Sequence, residues 1–273
     1  MPSSSSSRRS VWVERHRRRT DRAKPRSATE RGYHVVTYAR PGYGPSTPVP
    51  GRTLADTAEA SRTLMDHLGA ERYLVAGWSS GGPHALADAV VDPRLVRGVL
   101  LSGSFAPYDA DGLDFLTDMG LMSVIQFRAA ARSVEACRAV ISQMAAAVRE
   151  HDLAEVAPAM ASLLPKADAT VLHGVYGVEN AVSMRHGLAA GYAGWSDDLH
   201  ALTGPWGFDP STITAPVELW HGAMDRVVPL AHAKWPARHL PDVRFHVGDR
   251  EGHLSIAVGS LGEKLDQLAA RLG

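Results

Sequence analysis

Residues 74–82 read Leu-Val-Ala-Gly-Trp-Ser-Ser-Gly-Gly. An apolar run stops abruptly at Gly77-Trp78-Ser79-Ser80-Gly81, and a helix-forming segment, 83–91, begins at once. Strand, tight turn and helix in that order force the central residue into a strained backbone conformation. They also require small residues two positions either side, so that strand and helix can approach closely. Ser79 then stands at the tip with its hydroxyl above the strand ends, and the Ser80 N–H, at the helix N-terminus, points to where an oxyanion would form. A bare Gly-x-Ser-x-Gly arises by accident in about one chain in five or six of this glycine and serine content. The flanking strand and helix therefore carry the weight, against the alternative of a glycine-rich loop with a helix-capping serine.

The rest of the chain supplies an α/β frame for this turn. Residues 32–39 (Gly-Tyr-His-Val-Val-Thr-Tyr-Ala) have the composition of a buried parallel strand and end in the dense turn Arg40-Pro41-Gly42-Tyr43-Gly44-Pro45-Ser46. Thr53 opens a helix to Leu68 with Asp56 three residues on, close to a capping box. After the serine-bearing strand and helix, 96–101 is another apolar strand. Alternation of this kind predicts a mostly parallel sheet with helices on both faces and an active site at the carboxyl ends of the strands.

Residues 104–206 break the alternation. Helices are expected over 113–127, 132–149, 153–164 and 181–190, with methionines and with Trp195 and Trp206 giving the insertion an apolar, adaptable character. Helix packing explains most of these side chains. A helical insertion at the carboxyl edge of a sheet also has the geometry of a cap that covers the serine and shapes a pocket, and Trp78, Trp195 and Trp206 are the candidate substrate-binding residues. The sheet pattern returns with strands at 216–222 and 243–247, a helix at 230–239 between them, and a final amphipathic helix from Ser255 or Ser260 to Leu272. The core is thus expected at 29–103 and 207–273.

Bulk composition excludes several classes. The formal net charge of 0 over 273 residues gives no global pull toward nucleic acid or membrane, and no run of 18 apolar residues exists to span a bilayer. The single cysteine, Cys137, forms no internal disulfide, which fits a reducing compartment and a cytoplasmic location. It sits in an Ala-rich helical pattern and reads as packing. No Cys/His spacing argues for a metal and no phosphate loop for a nucleotide, so no cofactor is expected. Residues 1–28 stand apart, with five consecutive serines and eight arginines against Glu14 and Asp21. They read as a solvated, disordered tail, the alternatives being an organelle transit peptide or a basic arm touching nucleic acid.

A serine hydroxyl needs a base within hydrogen-bond reach, and the base needs a group to hold its tautomer. Of thirteen histidines, His253 lies in a Gly-rich loop just past the last strand, and Asp225 lies in the loop past the preceding strand, both on the Ser79 edge. The order Ser79, Asp225, His253 is the one expected of a hydrolase with this architecture. His221 braces the Asp225 loop on this reading. His34 and His246 are packed or solvated, and His67, His232 and His239 lie on helices away from the edge. His84 lines the site without reaching the serine. Asp249 and Glu251 are too close in sequence to His253 to orient it, and Asp209 precedes its strand.

With these residues in view the chain resembles the α/β-hydrolase fold superfamily, close to helical-cap serine hydrolases that include esterases and proline iminopeptidase-like enzymes. The matching residues are Arg40-Pro41-Gly42-Tyr43-Gly44-Pro45-Ser46, Gly77-Trp78-Ser79-Ser80-Gly81-Gly82, the segment from His221 through Asp225 to Pro229, and Gly252-His253-Leu254. The resemblance implies acyl-transfer hydrolysis of a small ester or amide through an acyl-enzyme on Ser79. It also exposes a departure. The family's early strand ends in a His-Gly loop supplying the second oxyanion N–H, whereas this chain has His16-Arg17-Arg18-Arg19 there. The first strands are expected to be missing or replaced, Val11-Trp12-Val13 being too short to substitute, and the N-terminus not to be native family sequence. Two alternatives stay open. One is a catalytically impaired hydrolase-fold protein that binds small molecules or partners. The other is a proline iminopeptidase-like aminopeptidase with Glu179, Asp197 and Asp198 near a substrate amine, unless these are solvated surface charges.

Overall fold

The computed structural model describes residues 9–13, 23–150, 164–258 and 260–272. Among them six parallel strands form one sheet in the order β2-β1-β3-β4-β5-β6. These are β1 (Arg9–Val13), β2 (Tyr33–Val36), β3 (Tyr73–Trp78), β4 (Val96–Ser102), β5 (Val217–Gly222) and β6 (Val243–Gly248). Parallel neighbours need a crossover between them. α1 (Ala23–Thr29), α2 (Leu54–His67) and α3 (Gly81–Val91) provide the first three.

β3 is buried on both faces, and its side chains divide with the period of two that a pleated strand dictates. Tyr73 and Val75 join the main core with Leu54, Met65, Leu86 and Leu101, while Leu74 and Ala76 join a second cluster with Ala28, Leu100, Leu265 and Leu268. Helices α2 and α3 therefore cover one face, and α1 and the C-terminal helix α12 (Leu261–Ala269) the other. Thr53 and Asp56 make the full reciprocal capping box that starts α2.

The N-terminal segment corrects two expectations. Val11, Trp12 and Val13 form part of a strand inside the sheet, with Val11 beside Val35 on one side and Leu74 on the other. A strand flanked on both sides gains two ladders of backbone hydrogen bonds, so five residues suffice where an edge strand would need more. Helix α1 likewise begins within the stretch 1–28 expected to be a tail. Residues 1–8 and 14–22, including the stretch His16-Arg17-Arg18-Arg19, lie outside the described residues.

Between β4 and β5 the described chain is helical: α4 (Leu121–Arg132), α5 (Val134–Glu150), α6 (Lys166–His173), α7 (Val175–Gly187) and α8 (Ala193–Thr203). The helix expected from 113 starts only at Leu121, because the chain first passes through a left-handed Asp118 (φ +65°) and Gly120. The helix expected at 153–164 falls almost wholly outside the described residues. The predicted helix at 230–239 is two short ones, α9 (Leu230–Lys234) and α10 (Pro236–His239), because Pro236 lacks the N–H that would carry the ladder through. A last turn of helix, α11 (Ser255–Val258), follows the loop after β6.

Candidate active site

The chain reverses its direction of travel across the sheet between β1 and β3, which places a topological switch point beside the carboxyl end of β3. Ser79 sits there with φ +58°, a left-handed conformation that non-glycine residues rarely adopt. The turn is tight enough that a Cβ on Gly77 would overlap the Gly81 carbonyl. Strand and helix can cross at this angle only with glycine at that place. Ser79 N–H donates to Ser102 O at 3.1 Å, tying the turn to the end of β4, and Ser80 is the N-cap of α3.

The loop after β5 delivers Asp225 and the loop after β6 delivers His253. His253 Nδ1 lies 2.7 Å from Asp225 Oδ2, and both side chains are buried. A carboxylate oxygen accepts here, so Nδ1 is the donor, and in a neutral imidazole that leaves the lone pair on Nε2. The other oxygen, Asp225 Oδ1, accepts the N–H groups of Val227 and Val228, each at 2.8 Å, so the carboxylate cannot swing away from the imidazole. His221 braces this loop by donating from Nε2 to Val228 O at 2.7 Å, and burial holds its pKa below the usual histidine value. Gly103, left-handed at φ +54° after β4, packs against the pair; a Cβ there would meet His253 Nδ1 at 3.1 Å.

Ser79 and Ser80 open into a cavity of about 250 Å3. Its walls come from the turn after β2 (Tyr43), the segment after β4 (Phe105), and helices α4, α7 and α8, with Phe127, Leu188 and Leu199 among the apolar contributors. Trp195 lines it, held by an indole N–H bond to Gln126 Oε1 at 3.0 Å. The other two tryptophans do not line it. Trp78 engages His253 instead: its Nε1 donates to His253 O at 3.1 Å, and the two rings lie 5.2 Å apart. Trp206 is buried in the main core against Phe208, where its carbonyl accepts from Ala55 N–H. An aromatic near a helical insertion carries no sequence mark that separates core from cavity.

Asp197 and Asp198 are neither solvated nor free for a ligand amine. Asp198 lies at the cavity edge, 3% exposed, with Arg40 and Tyr43 on Oδ2 and Arg52 on Oδ1. Arg52 also stands 3.4 Å from Asp197, whose pKa is raised by burial in spite of that cation. His84 is packed beside this cluster, Nδ1 bonded to Ser80 O, its pKa pushed down to about 3 mainly by burial and then by Arg40. Glu179 is not part of the cavity lining. His232, expected away from the edge, lies beneath the insertion, its ring nitrogens facing Phe115 O and Ala106 N. His246 stacks on Trp220 beside Glu218, and His34 is exposed. Among the described residues no cluster of three His, Cys, Asp or Glu side chains has the arrangement to hold a metal ion. No described helix is long and apolar enough to cross a membrane.

One residue that the sequence did not single out is tied to the site. Asp168, on α6, accepts the backbone N–H groups of His253, Leu254 and Ser255 at 2.7–2.9 Å.

A sheet wound in this order, with a left-handed serine at a glycine-bounded turn, defines an α/β-hydrolase architecture. The sequence profile of the family described as alpha/beta hydrolase fold matches residues 21–260, and the chain belongs to that family. A pimeloyl-(acyl-carrier protein) methyl ester esterase of Aromatoleum aromaticum is 30% identical over 223 residues, covering 81% of each chain. Two other relatives are matched over only 26% and 34% of their own length. Among solved structures, a thermophilic esterase from Thermogutta terrifontis superposes with a TM-score of 0.66 at 19% identity, covering 97% of this chain and 90% of its own. A putative non-heme bromoperoxidase from Mycobacterium tuberculosis gives 0.68 at 17%, covering 97% and 92%. At such identities the likeness is one of fold.

Proposed function

We propose that this chain is a serine hydrolase that cleaves a small, uncharged acyl ester through an acyl-enzyme on Ser79, with residues 104–206 acting as a helical cap. The observation that carries the reading is the buried Asp225–His253 pair at 2.7 Å, with the neighbour of Ser79, Trp78, bonded to the same histidine. With its hydrogen fixed on Nδ1, His253 presents Nε2 as the base. Ser79 Oγ attacks the carbonyl as Nε2 takes its proton, and the Ser80 N–H at the start of α3 stabilises the developing oxyanion. Collapse expels the alcohol with the proton returned from His253, and a water activated by the same nitrogen releases the acid. The second oxyanion donor expected after the first strand falls at residues outside those described.

An ester is favoured over an aminopeptidase substrate because Asp198, the acidic group at the cavity edge, already has both oxygens engaged by arginines. Apolar walls and a compensated charge suit a neutral acyl group. Ser183 Oγ, buried and without a hydrogen-bond partner among the described residues, offers it one polar contact.

Turnover of p-nitrophenyl esters of increasing chain length tests the proposal. Hydrolysis that falls at least about a thousandfold in Ser79→Ala is expected. An equal rate in the two proteins, or turnover by neither, would set it aside in favour of a hydrolase-fold binding protein.

A further inference from the structure

Asp168 is 0% exposed, and its carboxylate is committed to the backbone of one loop. Oδ2 accepts the His253 N–H at 2.7 Å, and Oδ1 accepts those of Leu254 and Ser255, each at 2.9 Å. No lysine or arginine among the described residues pairs with it. Three consecutive amides converging on one carboxylate make an anion-holding turn, with the anion supplied by the protein itself. The loop is shaped to admit it, since a Cβ on Gly252 would overlap the Asp168 carboxyl group. Ser255 Oγ closes the turn by accepting from Gly252 N–H at 2.9 Å.

The anchor comes from an unexpected part of the chain. Asp168 belongs to α6, in the helical segment between β4 and β5, while His253 belongs to the loop after β6, 85 residues on. Asp225 orients the imidazole at Nδ1 and Trp78 holds the His253 carbonyl. The remaining backbone group of that residue, its N–H, is held from the insertion. Two anchors thus come from the sheet and its loops and one from the helical segment between β4 and β5.

We infer that Asp168 is a positioning residue that seats His253, so that the covering segment helps hold the base as well as roofing the substrate. This rests on the reading of His253 as the base of a serine hydrolase. Without the carboxylate the three amides are left buried and facing one another, the loop relaxes, and the imidazole drifts. A displacement of about 1 Å in such a group can cost on the order of a hundredfold in rate.

The test compares Asp168→Asn, His253→Ala and the double variant on a p-nitrophenyl ester, in the full chain. An amide of the same size keeps one acceptor but turns N–H groups toward N–H groups. A fall in kcat of about 100-fold with KM nearly unchanged is expected for Asp168→Asn, and less than about a twofold further change when it is added to His253→Ala, because a residue acting only through His253 has nothing left to act on. An unchanged kcat in Asp168→Asn, or the same loss in both backgrounds, overturns the inference and leaves a residue of general structural importance. Should Asp168→Asn fail to fold, Gly252→Ala displaces the loop from an intact Asp168 and is expected to show the same loss of kcat. The underlying reading is checked separately by the wild type: if it turns over no ester, the hydrolase assignment has failed. Protection of the 253–255 amides from hydrogen exchange, lost in Asp168→Asn, then reports whether the anchor alone survives.

Discussion

The guanidinium of Arg40, in the turn after β2, and the carboxylate of Asp198, on α8, meet at 2.5 Å in a buried seam. Arg52 shares the same carboxylate, and the backbones of Gly42 and Gly194 touch alongside, joined by a 3.2 Å hydrogen bond. A buried ion cluster of this kind contributes little net stability against an apolar replacement, but removing one member strands the others. Asp198→Ala is therefore expected to lower unfolding stability by about 3–5 kcal/mol, since it removes the buried carboxylate that Arg40, Arg52 and Tyr43 share. A urea unfolding midpoint that matches the wild type would contradict this.

Acid should destabilise the fold through its buried histidines. Burial lowers the pKa of His84 to about 3, of His232 to about 4, and of His221 in the same direction. Each is depressed in the folded state relative to the unfolded value of about 6.5, so its contribution is present above that pH and is lost as pH falls toward the folded value. Stability is expected to fall from about pH 6.5 down to pH 4, each histidine adding at most about 1.4 kcal/mol per pH unit. Urea midpoints at pH 7, 6 and 5 measure it, and His232→Gln should flatten the slope. A midpoint independent of pH in this range would show that these side chains are not buried neutral.

Space and backbone strain separate cleanly among the glycines. Gly32 and Gly51 have φ of +79° and +75° with nothing within 4 Å of a built Cβ, so alanine there meets only the left-handed strain of about 1–2 kcal/mol. At Gly77 a Cβ would overlap the Gly81 carbonyl, which is backbone and cannot give way. Gly77→Ala is expected to abolish activity and to cost more than about 3 kcal/mol, or to prevent folding. Calorimetry of the three variants distinguishes the two causes.

Replacing Asp225 by asparagine should preserve its shape while reversing its instruction to His253. An amide can donate an N–H to Nδ1 and so favour the tautomer whose hydrogen sits on Nε2. A loss of kcat of about a thousandfold to ten-thousandfold is expected, with KM little changed. A loss under tenfold would assign the orienting role elsewhere.

The parts of the site that were legible in the sequence are those fixed by local backbone demands. Gly77 and Gly81 announce the turn that presents Ser79, and loops at the ends of apolar strands announce Asp225 and His253. What stayed hidden depends on partners far away along the chain. Asp198 sits in a polar-looking pair on a helix, and only the fold brings Arg40 to it from 158 residues away. Asp168 bonds to backbone amides, which leave no side-chain signature at all. Trp206 and Trp195 are the same residue type in the same helical insertion, yet one fills the core and the other lines the cavity. β1 carries little signal of its own because its stability comes from two neighbouring ladders rather than from its own length.

The central claim is that Ser79 is a nucleophile activated by His253. Stoichiometric labelling by a fluorophosphonate probe, followed by intact mass and peptide mapping, tests it most directly. One adduct per chain, on Ser79, that disappears in Ser79→Ala and forms far more slowly in His253→Ala is the predicted result. Folded wild-type protein that stays unlabelled, or carries the adduct on another serine, would contradict it.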